Sequence, residues 1–184
     1  MDPAFRVFRD KVHARDHHTC QFCGFQAKTN QEVINIDANY ANNRIENMLT
    51  ACCFCAQCHF LNIVGMGDYG GGRLIYMPEM SQSELNALCH VLFCAIANGT
   101  AYSDTAQKVY RNLRFRAQAV DQHYGEGLNK PMVFSQLILS REPKQAKQLA
   151  DELLTDLRLL PTQSRFQSQI DAWAAAAMED LPEK

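Results

Sequence analysis

Six of the eight cysteines in this 184-residue chain fall into two short clusters, and their spacing constrains the fold more than any other feature. The first is Cys20-Gln21-Phe22-Cys23, with Gly24 directly behind it. The second is Cys52-Cys53-Phe54-Cys55-Ala56-Gln57-Cys58, which holds two overlapping C-x-x-C pairs, Cys52/Cys55 and Cys55/Cys58. A two-residue spacer lets both thiolates of a pair reach one tetrahedral ion, and the glycine relieves the turn. Either reading gives four thiolates closing a loop of about thirty residues, within the range of structural zinc sites. Four protein ligands leave no open position, so the expected zinc, one per chain, is structural and not catalytic. The compact thiol run of an iron–sulfur site is missing. Cys53, and whichever of Cys52 and Cys58 is left over, are expected to pack. Cys89 and Cys94 stand five apart on an expected helix, share no face, and read as small buried hydrophobes.

The rest of the composition agrees with a globular protein in a reducing compartment. Hydrophobic residues make up 47% and charged residues 21%, which excludes a disordered chain. Eight cysteines are too few for a small disulfide scaffold of this length. No charged segment followed by an apolar run opens the sequence, so a cytoplasmic location is expected. The longest apolar run, Leu85–Ala97, is interrupted by Asn86 and His90 and is too short to span a bilayer, so no direct membrane insertion is expected. A formal net charge of −2 argues against wholesale nucleic-acid binding and leaves room only for a local basic patch.

The expected fold class is α+β and mainly helical. Residues 5–15 read as a short amphipathic helix, Val33–Ile36 and Leu74–Met77 as strands, and 37–46 as a polar loop. Met48–Val64 reads as a turn leading into a helix. The glycine-rich stretch 65–72 must be a bend. Ser81 with Glu84 three residues on fits a capping box ahead of a helix that Asn98-Gly99 ends. Further helices are expected over Asp104–Tyr124, Gln145–Leu160 and about Ser164–Leu181, the last packing Phe166, Ile170, Trp173 and Ala177. Val133–Leu139 is ambiguous in type.

The segment Arg15-Asp16-His17-His18-Thr19-Cys20-Gln21-Phe22-Cys23-Gly24 resembles the opening of the HNH endonuclease zinc-bound fold. In that family the first C-x-x-C precedes a strand ending in Asp-His, then Asn-Leu, then a second C-x-x-C followed by His. Here Ile36-Asp37-Ala38 stands at the Asp-His end, and Asn47-Met48-Leu49-Thr50-Ala51-Cys52-Cys53-Phe54-Cys55 at the second pair. The resemblance covers residues 15–60. It implies a ββα unit with Cys20, Cys23, Cys52 and Cys55 as the metal ligands. It also exposes two departures. A nuclease of this kind uses the first His as general base and the last His, with the Asp, to hold a divalent ion on the phosphate. Those positions are Ala38 and Ala56 here. Only the Cys55/Cys58 register would restore the second, through His59, and the base would still be absent. No catalytic residue is therefore expected.

A longer resemblance runs from about residue 10 to residue 175. It is carried by Cys20–Ala27, Asn42-Asn43-Arg44, Thr50–Cys58, Tyr69-Gly70-Gly71-Gly72 and Glu84–Ile96. These strings are similar to the IcmJ (DotN) family, components of the Dot/Icm type IVB secretion system of intracellular bacterial pathogens. The resemblance implies a non-catalytic zinc-binding adaptor in the coupling complex, peripheral to the bacterial inner membrane. Its implied partner is the C-terminal tail of the coupling ATPase (DotL), with other coupling-complex subunits besides, and its implied role is to support effector recruitment. The expected organisation is one domain over 1–184, with an HNH-like zinc unit at 16–80 and a helical part at 81–184 packed on it. The competing reading is an HNH-type metal-dependent nuclease or nucleic-acid-binding protein.

Other features carry bland readings beside sharper ones. Gly65-Met66-Gly67-Asp68-Tyr69-Gly70 matches a dinucleotide-binding pattern, but a strand-like run follows where a helix should open. Lys108, Arg111, Arg114 and Arg116 put four positive charges on one expected helix, either a solvated face or a patch for an acidic partner segment. His17, His18, His90 and His123 lack partners at a catalytic spacing and read as surface or core histidines. Trp173 with Ala174–Ala177 suggests a close helix contact.

Overall fold

The structure, a computed structural model, describes residues 3–39 and 41–179. The end of the last expected helix, at Leu181, lies outside the described residues. The chain is a mainly helical α+β protein with two small antiparallel sheets.

Helix α1 (Pro3–Arg15) buries only Val12 and His13, at its C-terminal end. The cysteine knuckle follows, and then strand β1 (Gln31–Asn35). Strand β2 (Met48–Cys52) pairs with β1 in antiparallel register from Gln31↔Cys52 to Asn35↔Met48. Helix α2 (Cys53–Ala56) starts immediately after β2 and is buried throughout. The expectation of a turn and helix over Met48–Val64 is thus corrected. Met48–Cys52 is buried on both faces, so it lacks the alternation that marks a half-exposed strand. Arg15 donates to the carbonyls of Ile45 (2.8 Å) and Met48 (2.6 Å), and Asp16 accepts from the Thr50 N–H (2.8 Å). These bonds tie the end of α1 to the start of β2.

Strand β3 (Gly72–Tyr76) leads to helix α3 (Gln82–Ala97). The capping box is present: the Glu84 N–H donates to Ser81 Oγ at 3.2 Å, and the Ser81 N–H donates to Glu84 Oε2 at 2.8 Å. Asn98 caps the C-terminus and Gly99 takes the left-handed φ of +54°. Where one helix is expected over Asp104–Tyr124 there are two, α4 (Ser103–Phe115) and α5 (Ala117–Tyr124). The break at Arg116 is tertiary. Its carbonyl accepts from the Tyr76 N–H of β3 (3.4 Å), and its guanidinium donates to Tyr76 O (3.2 Å) and pairs with Glu79 (2.5 Å).

Helix α6 (Pro131–Leu139) resolves the ambiguous apolar segment, with proline at its first position. Helix α7 (Pro143–Leu154) ends well before Pro161, and Leu157–Pro161 forms strand β4, paired with β3 from Gly72↔Pro161 to Tyr76↔Leu157. This corrects the helix expected over Gln145–Leu160. Arg158 caps α7 by donating to Leu154 O (3.1 Å) and Thr155 O (2.9 Å), while Leu157, Leu159 and Leu160 are buried. The Gln82 side chain acts as a further rung on β4, donating to Leu159 O (2.9 Å) and accepting from the Leu159 N–H (2.7 Å). After a 3-10 turn (Gln163–Phe166), helix α8 (Gln167–Glu179) buries Ile170, Trp173 and Ala174. Ala177, expected inside, is exposed; Ala174, four residues after Ile170, occupies the inward position instead.

The main core gathers around Phe54, drawing on β1, β2, α2, α3, α4 and α8. A second cluster joins Val64, Leu74, Val120, Phe134, Leu157 and Leu159. Both clusters combine residues from before and after position 80, which places the cysteine knuckle against the helical part of the chain.

Candidate metal centre

The knuckle is a tight hairpin. Cys20 N–H donates to Phe25 O (2.8 Å), Gly24 N–H donates to Cys20 O (3.0 Å), and Gly24 adopts φ +75°. Gln21 N–H donates to Thr50 O (2.9 Å), which docks the knuckle on β2. Cys52 ends that strand and Cys55 lies in α2. The sulfurs of Cys20, Cys23, Cys52 and Cys55 all lie within 4.8 Å of one another, and the Cys23–Cys52 pair is at 3.7 Å. A tetrahedral ion with sulfur ligands at about 2.3 Å sets sulfur–sulfur edges of about 3.8 Å, so the geometry fits a four-thiolate metal site.

The electrostatics point the same way. Hydrogen bonding with Cys20 pulls the Cys23 thiol far below its ordinary range, while hydrogen bonding with the same neighbours and burial push Cys52 far above it. Cys20 is lowered as well and Cys55 raised, so the four thiols titrate as one coupled group. Two nitrogens outside the quartet also face sulfur. Asn86 Nδ2 donates to Cys55 Sγ at 3.2 Å, and His90 Nε2 lies 3.2 Å from Cys52 Sγ. His90 is held between the rings of Phe25 (3.6 Å) and Phe54 (4.3 Å) and is buried. N–H donors aimed at sulfur are the partners that metal-bound thiolates take.

Sequence reasoning missed Asn86 and left His90 a generic histidine. A signal was present, because these are the two polar residues of Leu85–Ala97 and stand four apart on one face of α3. Among the remaining cysteines, Cys58 is outside the quartet and donates to Phe54 O at 3.2 Å. Its thiol is pushed up to about 12 by burial. Cys53 and Cys89 are buried, and burial raises both. Cys94 is half-buried.

At the positions of the nuclease chemistry, Asp37 is bound up in hydrogen bonds. Its carboxylate accepts from Asn42 Nδ2 (2.7 Å), Asn47 Nδ2 (2.8 Å) and the Asn39 N–H (2.9 Å), and these bonds hold it below the usual carboxylate range. Ala38 follows with φ +55° and offers no proton acceptor. His59 packs on Phe22 at 5.1 Å between ring centres, and Ala56 is fully buried. The glycine bend is also occupied by the protein itself. Gln57 Oε1 accepts from the Gly71 N–H (2.9 Å), and Arg165 donates to the carbonyls of Gly70 (2.9 Å) and Gly67. A Cβ on Gly71 would meet the Arg165 side chain at 2.5 Å. The bend leads into β3, so it makes no phosphate cradle of the dinucleotide type. Of the four basic residues on the expected long helix, Lys108, Arg111 and Arg114 are exposed, whereas Arg116 is taken by Glu79.

No family model matches the chain. The type 4 apparatus protein DotN of Legionella pneumophila subsp. pneumophila is 49% identical over 181 residues, spanning 98% of this chain and 84% of that protein. The chain belongs to the DotN family. The name of that relative marks it as part of a secretion apparatus. Among the described residues of this DotN-family chain, no helix is long and apolar enough to cross a membrane.

Proposed function

We propose that this chain is a non-catalytic, zinc-stapled adaptor of a Dot/Icm-type secretion apparatus that binds the C-terminal tail of the coupling ATPase. The observation that carries the reading is 49% identity to DotN along nearly the whole chain. Cys20, Cys23, Cys52 and Cys55 are its zinc ligands in this reading, and zinc, when bound, supplies folding energy to a loop with little core of its own. The β1–β2 hairpin followed by α2 is read as an HNH-type scaffold from which the chemistry has been removed at Ala38 and Ala56. Residues 1–184 are read as one domain, supported by two cores that each draw on both parts. The adaptor works in the cytoplasm, beside the inner membrane, through its partner.

The test is capture of the ATPase tail by the full chain. Retention of the tail on the immobilised protein is expected, and its absence overturns the adaptor reading. Metal-dependent nicking of plasmid DNA, lost on changing Asp37 or His59, would establish the nuclease in its place.

His90 gives a second check. His90→Phe keeps the stack with Phe25 and Phe54 but removes the ring nitrogen, Nε2, that faces Cys52 Sγ at 3.2 Å. Removal of an outer hydrogen bond of this kind weakens metal binding by about 10–100-fold. Competition with a chromogenic chelator measures the change, and an unaltered zinc affinity contradicts the role given to His90.

A further inference from the structure

Four cations converge on one side of the molecule, well apart from the cysteine quartet in sequence. Arg111 and Arg114 come from α4, Arg73 from β3 and Lys130 from the residue before α6, and all four are exposed. Among the described residues, none of them forms an ion pair. Arg73 donates one bond, to Asn129 Oδ1 at 3.0 Å. They line two adjoining clefts, of about 360 and 410 Å³, which share Arg73 and Arg114. A single carboxylate, Asp121, lines the same surface, and it accepts from the backbone and side chain of Asn129. The cleft therefore carries a clear excess of positive charge on a chain whose net charge is −2.

The lining is not only basic. Val64, Pro131, Met132 and Leu160 form the floor and wall of one cleft, and Phe115 stands at the other. Phe115 is 57% exposed and Met132 38%. Large apolar side chains left in water beside unpaired cations make a surface that complements a segment carrying both acidic and apolar side chains. A nucleic acid matches less well. Strand recognition needs a succession of aromatic platforms along a basic groove; here only Phe115 is exposed, while Tyr110 is buried and donates its hydroxyl to Pro161 O.

We propose that the cleft between α4, β3 and the start of α6 is a docking site for an acidic peptide segment that carries apolar anchors. Its acidic side chains meet Arg73, Arg111, Arg114 and Lys130, and its anchors lie on Met132 and Phe115. The proposal rests on the adaptor reading for the identity of the segment's owner, but its chemistry stands on the cleft itself. Charge sets encounter and register, while the apolar contacts slow release.

The test uses the full chain and a short fluorescent peptide in which glutamate pairs alternate with leucine and phenylalanine. Fluorescence anisotropy is expected to show binding that weakens steeply as salt rises. The double variant R111E/R114E is expected to bind roughly tenfold more weakly with a flatter salt dependence. The double variant K144E/K147E, on exposed positions of α7, changes net charge by the same amount and is expected to bind as the parent does. Equal loss in both variants reduces the effect to net charge and overturns the site. So does equal binding of the peptide with glutamine in place of glutamate, or tighter binding of a single-stranded oligonucleotide. The captured ATPase tail separates the two readings. If the parent retains the tail and R111E/R114E retains it equally, the cleft proposal fails while the adaptor stands. If the parent retains no tail yet binds the acidic peptide at this cleft, the adaptor reading fails alone.

Discussion

On the proposed zinc assignment, Cys52→Ser is expected to lose the metal and to leave at least the N-terminal unit unfolded at room temperature. A structural zinc site contributes about 10–16 kcal/mol of binding free energy that exists only in the folded state. Domains of ordinary size are stable by about 5–15 kcal/mol in total. Removing one of four thiolates therefore takes away an amount comparable with the whole margin. Cys52 is the most consequential of the four, because it is fully buried, ends β2 and faces His90. Its serine hydroxyl would be a poor ligand left among three thiols. Native mass spectrometry should find one zinc per chain in the parent and none in the variant, and circular dichroism should find no cooperative melt of the parent's size. Cys58→Ser is the matched control, since Cys58 lies outside the quartet, donating to Phe54 O and accepting from Asn86 Nδ2 at 3.9 Å. It should keep one zinc and most of its stability. Zinc lost from Cys58→Ser and retained in Cys52→Ser would reverse the ligand assignment.

The second large effect belongs to Phe54. Its ring is fully buried. It stands edge-on to Phe93, Phe166 and Trp173 at 5.7, 4.9 and 5.6 Å, and stacks on His90 at 4.3 Å. One side chain thereby joins α2 to α3 and α8. Phe54→Ala removes the hub and leaves a cavity, a change that costs about 3–5 kcal/mol. In a chain of this length each kcal/mol lowers the melting temperature by about 2–4 °C, so a fall of roughly 6–20 °C is expected. Zinc content measured on the folded variant should stay at one per chain, which separates lost packing from lost metal. Phe115→Ala, at an exposed position, should stay within about 0.5 kcal/mol of the parent. A similar melt for Phe54→Ala and the parent would mean that α8 does not dock on this ring.

These two experiments probe features of different legibility. The cysteine spacing was readable because C-x-x-C is a local geometric statement, whereas the choice of Cys52/Cys55 over Cys55/Cys58 came from the HNH resemblance and not from the spacing. Both pairs fit an ion equally well until the chain folds. In the structure Cys58 turns to the Phe54 carbonyl and Cys52 faces the knuckle, because β2 ends at Cys52 and α2 begins there. The capping box at Ser81 and the stop at Gly99 were also readable, since each is settled within a few residues. The basic helix was half readable. Charge shows in the sequence, but that Arg116 is engaged by Glu79, and that Arg73 and Lys130 take its place in the cleft, depends on chain segments far apart.

The sequence by itself determined the cysteine spacing, the alanines at positions 38 and 56, the helix caps and the family membership that 49% identity reveals. Those are facts of residue identity and short-range spacing. The tertiary structure alone decided that Met48–Cys52 and Leu157–Pro161 are strands, that Arg116 breaks a helix, and that Asn86 and His90 turn a side-chain nitrogen to sulfur. The physical reason is common to all of them. A short apolar run carries no period of its own, and a backbone carbonyl or a polar side chain takes whichever partner the folded chain brings near.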